Sequence, residues 1–179
     1  METKGYLSKY ASAEDGRITY IRITEPLRNN PKRAAVIHIC NRILTGLVFV
    51  SYPALLLWLF RNQEQSLIRA ILVPFDSFII LTIFRVFVNA KRPYEVFDIP
   101  PVIAKDTRGR SFPSRHVFSV FIIAMTFFAV CPVPVFGGVI FVLGILLAVV
   151  RVFAGVHFPR DVIAGAIFGI AAGYIGYFL

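Results

Sequence analysis

The chain has 179 residues, 57% of them hydrophobic, and a formal charge of +9. Soluble domains average about 45–50% apolar residues, so the excess argues against an ordinary water-soluble core and for a bilayer. No basic-aromatic motif supports a nucleic-acid partner, whereas basic residues around apolar spans suit an anionic membrane surface or a phosphorylated substrate.

Residues 1–33 read as a polar basic arm, with Lys4, Lys9, Arg17, Arg22, Arg28, Lys32 and Arg33 among scattered acids and prolines. It holds no run long enough to cross a membrane. Tyr20-Ile21-Arg22-Ile23-Thr24 fits either a short strand or part of an interfacial segment. The apolar run from Ile43 to Phe60 follows about forty polar and basic residues and lacks a small-residue cleavage site, so it reads as a retained span rather than a signal.

Residues 34–179 read as one transmembrane domain. Five apolar stretches, at 36–60, 67–90, 116–131, 134–151 and 160–179, approach the ~20 residues a helical span requires. The predicted fold is therefore all-α, a polytopic transmembrane helical bundle with about five spans. Pro132 and Pro134 break the chain between the third and fourth stretches and predict a helical hairpin. Gly165, Gly169 and Gly173, spaced by four, put small residues on one helix face where a neighbour can approach closely. Cys40 and Cys131 have neither CxxC nor zinc-ligand spacing and read as reduced packing residues, with a bond between them as the alternative.

Outside the arm the polar residues concentrate in two regions, Arg85 to His116 and Arg151 to Asp161. Arg85 and Arg92 lie seven residues apart, almost two helical turns, before a stop at Pro93. Two guanidinium forks on one side suit phosphate oxygens, and snorkelling to the interface is the structural alternative. In Phe112-Pro113-Ser114-Arg115-His116, Ser114 can cap the next helix. That helix start offers unpaired N–H groups to an anion, with His116 beside them to protonate a leaving oxygen; a cap followed by an interfacial histidine is the plainer possibility. In Arg151-x5-His157-x3-Asp161, Pro159 fits the first turn of the last helix. Asp161 can then fix one imidazole nitrogen of His157 while the other attacks phosphorus, or the pair can be a local structural bond.

Together these groups resemble the three motifs of the type 2 phosphatidic acid phosphatase superfamily, which includes lipid phosphate phosphatases and undecaprenyl pyrophosphate phosphatases. Arg85-x6-Arg92-Pro93 stands for the first motif, with arginine in place of lysine, and Pro113-Ser114-Arg115-His116 for the second, with Arg115 in place of glycine. The third is complete in Arg151, His157 and Asp161, with Val150 where a serine often precedes the arginine. The resemblance implies His157 as nucleophile, Asp161 as its orienting partner and His116 as general acid. Arg85, Arg92, Ser114, Arg115 and Arg151 would then bind phosphoryl oxygens, although Arg115 could instead narrow the pocket or point toward headgroups.

The expected activity is hydrolysis of a lipid phosphate or pyrophosphate end through a phosphohistidine, releasing inorganic phosphate. The partners are the bilayer and a membrane lipid phosphate. No cofactor and no metal is implied, and no compact carboxylate cluster suggests magnesium. Two other functions share these residues: a vanadium haloperoxidase, disfavoured by the apolar spans, and a protein that binds or translocates lipid phosphates without cleaving them, disfavoured by the complete His116, His157 and Asp161 set. The expected location is the cell membrane, as a multi-pass protein. Five spans put the arm and both catalytic loops on one side, which the positive-inside rule would make cytoplasmic, whereas the resembled family has six spans and an outward-facing site.

Overall fold

The computed structural model describes the backbone of residues 3–105 and 107–179, and within those ranges the side chains from residue 14 onward. The described residues form seven helices: α1 (Thr3–Arg28), α2 (Pro31–Arg61), α3 (Leu67–Val88), α4 (Pro93–Phe97), α5 (Arg115–Val130), α6 (Val135–Phe153) and α7 (Pro159–Phe178). The fold is all-α. Tyr20 to Thr24, for which a strand was one expectation, lies inside α1. Its side chains are used at helical rather than alternating spacing: Tyr20 and Thr24 are buried, and Thr24 Oγ1 donates to the Tyr20 carbonyl four residues back at 2.8 Å.

Local chemistry explains most helix ends. Asn30 caps α2, its Oδ1 accepting from the backbone N–H of Lys32 at 3.1 Å and Arg33 at 3.2 Å, and Pro31 follows at the first helical position. Asn89 ends α3 in the left-handed region at φ 40° and donates its N–H to the Arg85 carbonyl. The hairpin at Pro132 and Pro134 forms as predicted, turning α5 into α6.

Four helical stretches are long and apolar enough to cross a bilayer: Pro31–Arg61, Leu67–Phe97, Val135–Phe153 and Pro159–Phe178. Their outward faces expose large apolar side chains such as Val50, Ile80 and Phe87, the surface expected against lipid. Asp76, within α3, is an exposed exception to the concentration of polar residues in two regions. With 16 residues, α5 rises only about 24 Å, less than the ~30 Å hydrocarbon core. It is the central helix, predominantly apolar, with every residue from Val117 to Ala124 buried and its contacts made to α2, α3, α6 and α7.

The glycine face of α7 makes its contact with α5. A Cβ on Gly169 would stand 2.7 Å from the Phe118 carbonyl oxygen, and one on Gly165 would stand 2.7 Å from the Ser114 carbonyl oxygen. The two backbones therefore touch where α5 begins. The result is a membrane bundle in which the ends of α3 and α6 and the starts of α5 and α7 share one end.

Candidate active site

The two arginines of the first region bind loops together. Arg85, buried in the last turn of α3, donates from Nη1 to the Pro113 carbonyl and from Nη2 to the Arg110 carbonyl. Arg92, at the N-cap of α4, donates from Nε to the Gly109 carbonyl at 3.1 Å and from Nη1 to the Val156 carbonyl at 3.2 Å. Glu95 holds this corner by accepting from the N–H of Arg92 at 2.8 Å and of Gly109 at 2.9 Å. Arg85 thus spends donors on the loop that leads into α5, and Arg92 ties that loop to the segment before α7.

His157 and Asp161 sit where α7 begins. Pro159 occupies the first turn as expected, leaving His157 in the preceding loop and Asp161 in the opening turn. Asp161 is fully buried: its Oδ2 accepts from Ser111 Oγ at 2.5 Å and from the Phe158 N–H at 3.1 Å. Its backbone carbonyl accepts from the Ser114 N–H at 2.8 Å, which joins the starts of α5 and α7. His157 Nδ1 lies 3.6 Å from Asp161 Oδ2, just beyond hydrogen-bond length, and 3.4 Å from Ser111 Oγ.

The opposite ring nitrogen, Nε2, is 3.4 Å from Arg92 Nη1. A guanidinium only donates, so this contact requires a lone pair on Nε2 and assigns the proton to Nδ1 on the carboxylate side. Burial pushes the His157 imidazole below its ordinary pKa; Asp161 opposes the shift, and Arg151 and Arg92 reinforce it. Neutral, with Nε2 toward the arginines, the ring is set up as a nucleophile.

Arg151 ends α6 deep in the bundle. Its Nη1 donates to Asn41 Oδ1 of α2 at 3.1 Å, while its Nε and Nη2 are buried without a hydrogen-bond partner among the described residues. Ser114 Oγ is buried and unpartnered in the same sense. Leaving charged donors unsatisfied in a protein interior is costly, and an anion would satisfy them. Ser114 occupies the N-cap position of α5, but its hydroxyl makes no capping bond, contrary to the expected cap. That hydroxyl and the helix start remain available.

The other two residues of the second motif diverge. Arg115 is exposed, its guanidinium 5.7 Å from the Phe78 ring centroid on α3. His116 is half-buried and lines a cavity with residues of α2. It lies within electrostatic range of His157, Arg151, Lys105 and Arg115.

Sequence reasoning missed four contributors: Ser111, Glu95, Asn41 and Lys105. Lys105 is half-buried and within electrostatic range of Arg151, Arg92, Arg115 and Arg85; burial, then those charges, bring its pKa down to about 8. Ser111 had a weak signal, one residue before the group from Phe112 to His116 already singled out. Asn41 had none, because it meets Arg151 across 110 positions. Among the described residues no group of three or more His, Cys, Asp or Glu is arranged to hold a metal ion.

Fold and site together define a membrane-embedded helical bundle with a cationic basin at one end, built around a buried histidine and carboxylate. Comparison with known proteins assigns that class a family: the PAP2 superfamily profile matches residues 66–179, and the chain belongs to this superfamily. Among solved structures it is similar to Aquifex aeolicus LpxE, with 25% identity, a TM-score of 0.66, and coverage of 88% of this chain and 92% of that one. It also shares its fold with a transmembrane PAP2-type phosphatidylglycerolphosphate phosphatase from Bacillus subtilis, with 20% identity, a TM-score of 0.64, and coverage of 94% and 84%. A search of curated protein sequences gives no match.

Proposed function

We propose that this protein is a membrane lipid phosphatase, removing phosphate from a lipid phosphate or pyrophosphate through a phosphohistidine on His157. The observation that carries the proposal is the pairing of a buried His157, its Nε2 lone pair directed at Arg92, with the unpartnered donors of Arg151 and Ser114. The family and the phosphatidylglycerolphosphate phosphatase with the same fold support it.

In this mechanism the phosphoryl oxygens take the free donors of Arg151, the Ser114 hydroxyl and Arg92, with Lys105 adding positive charge. Arg85 contributes charge and holds the loop on which Ser114 rides. His157 Nε2 forms the bond to phosphorus as the bond to the lipid oxygen breaks, and His116 gives that oxygen its proton. Asp161 stabilises the charged imidazole. Water then donates a proton to His116 while attacking phosphorus, which frees His157 and releases inorganic phosphate. No step is assigned to a metal or other cofactor. Arg115, exposed beside Phe78, is given no step, and the domain that does this chemistry is residues 34–179, in the cell membrane.

Acid-quench trapping with labelled lipid phosphate tests the proposal. Label on His157, absent from His157→Ala, is the expected result. Label on another residue, or wild-type turnover in His157→Ala, would overturn it; binding without phosphate release would favour a lipid-gripping protein.

A further inference from the structure

A cavity of about 530 Å³ opens between the first half of α2 and the start of α5, lined by His38, Ile39, Asn41, Arg42, Thr45, Gly46 and His116. Its size falls within the range of small-molecule sites, roughly 300–1,000 Å³. His38, Asn41, Arg42 and Thr45 stand at i, i+3, i+4 and i+7, one face of α2. A polar face on a spanning helix is costly against lipid and is expected where it lines a wet cavity. Arg42 brings a guanidinium, His38 an imidazole and Thr45 a hydroxyl whose buried Oγ1 has no hydrogen-bond partner among the described residues, while no acidic side chain lines the wall. These α2 residues lie outside the segment the superfamily profile matches.

The position of His116 says what the cavity receives. In an in-line displacement the leaving oxygen departs on the side opposite the nucleophile. The group that protonates that oxygen therefore marks where the rest of the leaving group lies, and His116 is shared between the basin and this cavity. Asn41 joins the same two spaces, since its Oδ1 holds Arg151 while it also lines the wall. A wall of donors placed directly beyond the leaving oxygen suits an anion there rather than a hydrocarbon chain.

Resting on the phosphatase mechanism above, we propose that this cavity is a leaving-group subsite selecting lipids that carry a second phosphate close to the scissile one. The retained phosphate of a lipid pyrophosphate and the phosphodiester of a glycerol-linked phosphate headgroup share that chemistry. Arg42 is the specificity-determining residue, and Thr45 supplies a neutral donor.

The test measures kcat/KM for phosphate release by the purified full chain in mixed micelles, on phosphatidic acid, a polyprenyl pyrophosphate and phosphatidylglycerol phosphate. Wild type should prefer at least one of the latter two over phosphatidic acid, and which one identifies the source of the second phosphate. Arg42 is exposed, so Arg42→Gln should fold, and it should lower that preference about 10- to 100-fold, the effect of losing a charge-assisted hydrogen bond. Arg42→Lys should recover part of the preference, and Thr45→Val should reduce it less than Arg42→Gln does. Equal wild-type activity on all three lipids, or an equal loss on all three in Arg42→Gln, overturns the subsite and leaves the phosphatase mechanism standing. No release from any lipid overturns that mechanism and the subsite with it.

Discussion

Ser111, His116 and Lys105 carry the most informative single substitutions. Ser111 Oγ makes the shortest contact to the buried Asp161 carboxylate and also neighbours His157 Nδ1. Ser111→Ala leaves a buried acceptor short of a donor, worth about 1–3 kcal/mol, so kcat should fall roughly 10- to 100-fold. Because Ser111 acts through Asp161 and His157 rather than on substrate, steady-state kinetics should find KM little changed. The two histidines separate by leaving group. General-acid help is worth typically ~10²–10⁴-fold and matters less when the departing group is already stable. His116→Ala should therefore lose most activity on a lipid substrate and recover part of it on p-nitrophenyl phosphate, whereas His157→Ala should recover none. Lys105, with its pKa lowered to about 8, loses its charge as pH rises through that value. The pH profile of kcat/KM should show a basic limb near there, absent in Lys105→Arg, where the charge persists.

At the scale of elements, the contact between α5 and α7 fixes the catalytic geometry. Gly165 packs against the Ser114 backbone and Gly169 against the Phe118 carbonyl one turn deeper. In each case backbone, not a flexible side chain, would meet an added methyl. Gly169→Ala should lower thermal stability in detergent by about 1–3 kcal/mol, the usual cost of overpacking. Gly165→Ala forces the shift at Ser114 itself, so its kcat should fall by more than that of Gly169→Ala at a comparable loss of melting temperature. The spacing of these glycines predicted a close helix contact but not its partner. The partner is α5 because that helix, predominantly apolar and buried, occupies the centre of the bundle. Element α1 adds a further support: Tyr20 Oη donates to the Gly155 carbonyl at 3.1 Å and Arg28 Nη1 to the Pro100 carbonyl at 3.0 Å. The basic arm is thus tied through Tyr20 to the loop that carries His157 and through Arg28 to the loop between α4 and α5.

Over the whole molecule, positive charge converges on one end of the bundle from α3, α5, α6 and the loops. Arg85, Arg92, Lys105 and Arg151 supply the field that would otherwise call for a metal ion, so phosphate release should persist in excess chelator. Loss of activity restored by magnesium would contradict that expectation. The sequence by itself determined the helical membrane class, the hairpin at Pro132 and Pro134, the small-residue face of α7 and the residues Arg85, Arg92, Ser114, Arg151, His157 and Asp161 that meet at one end. The first three follow from hydropathy, proline chemistry and local spacing, which act over a few residues, whereas the site residues were singled out by their resemblance to the three superfamily motifs. Tertiary structure alone decided that Asn41 meets Arg151, that Ser111 bonds Asp161, that Lys105 neighbours the arginines, that Arg115 lies beside Phe78 and that His116 opens onto the polar face of α2. Each of these depends on which helix packs beside which and at what rotation, and that is settled by side-chain volumes distributed over the whole bundle rather than by any local pattern.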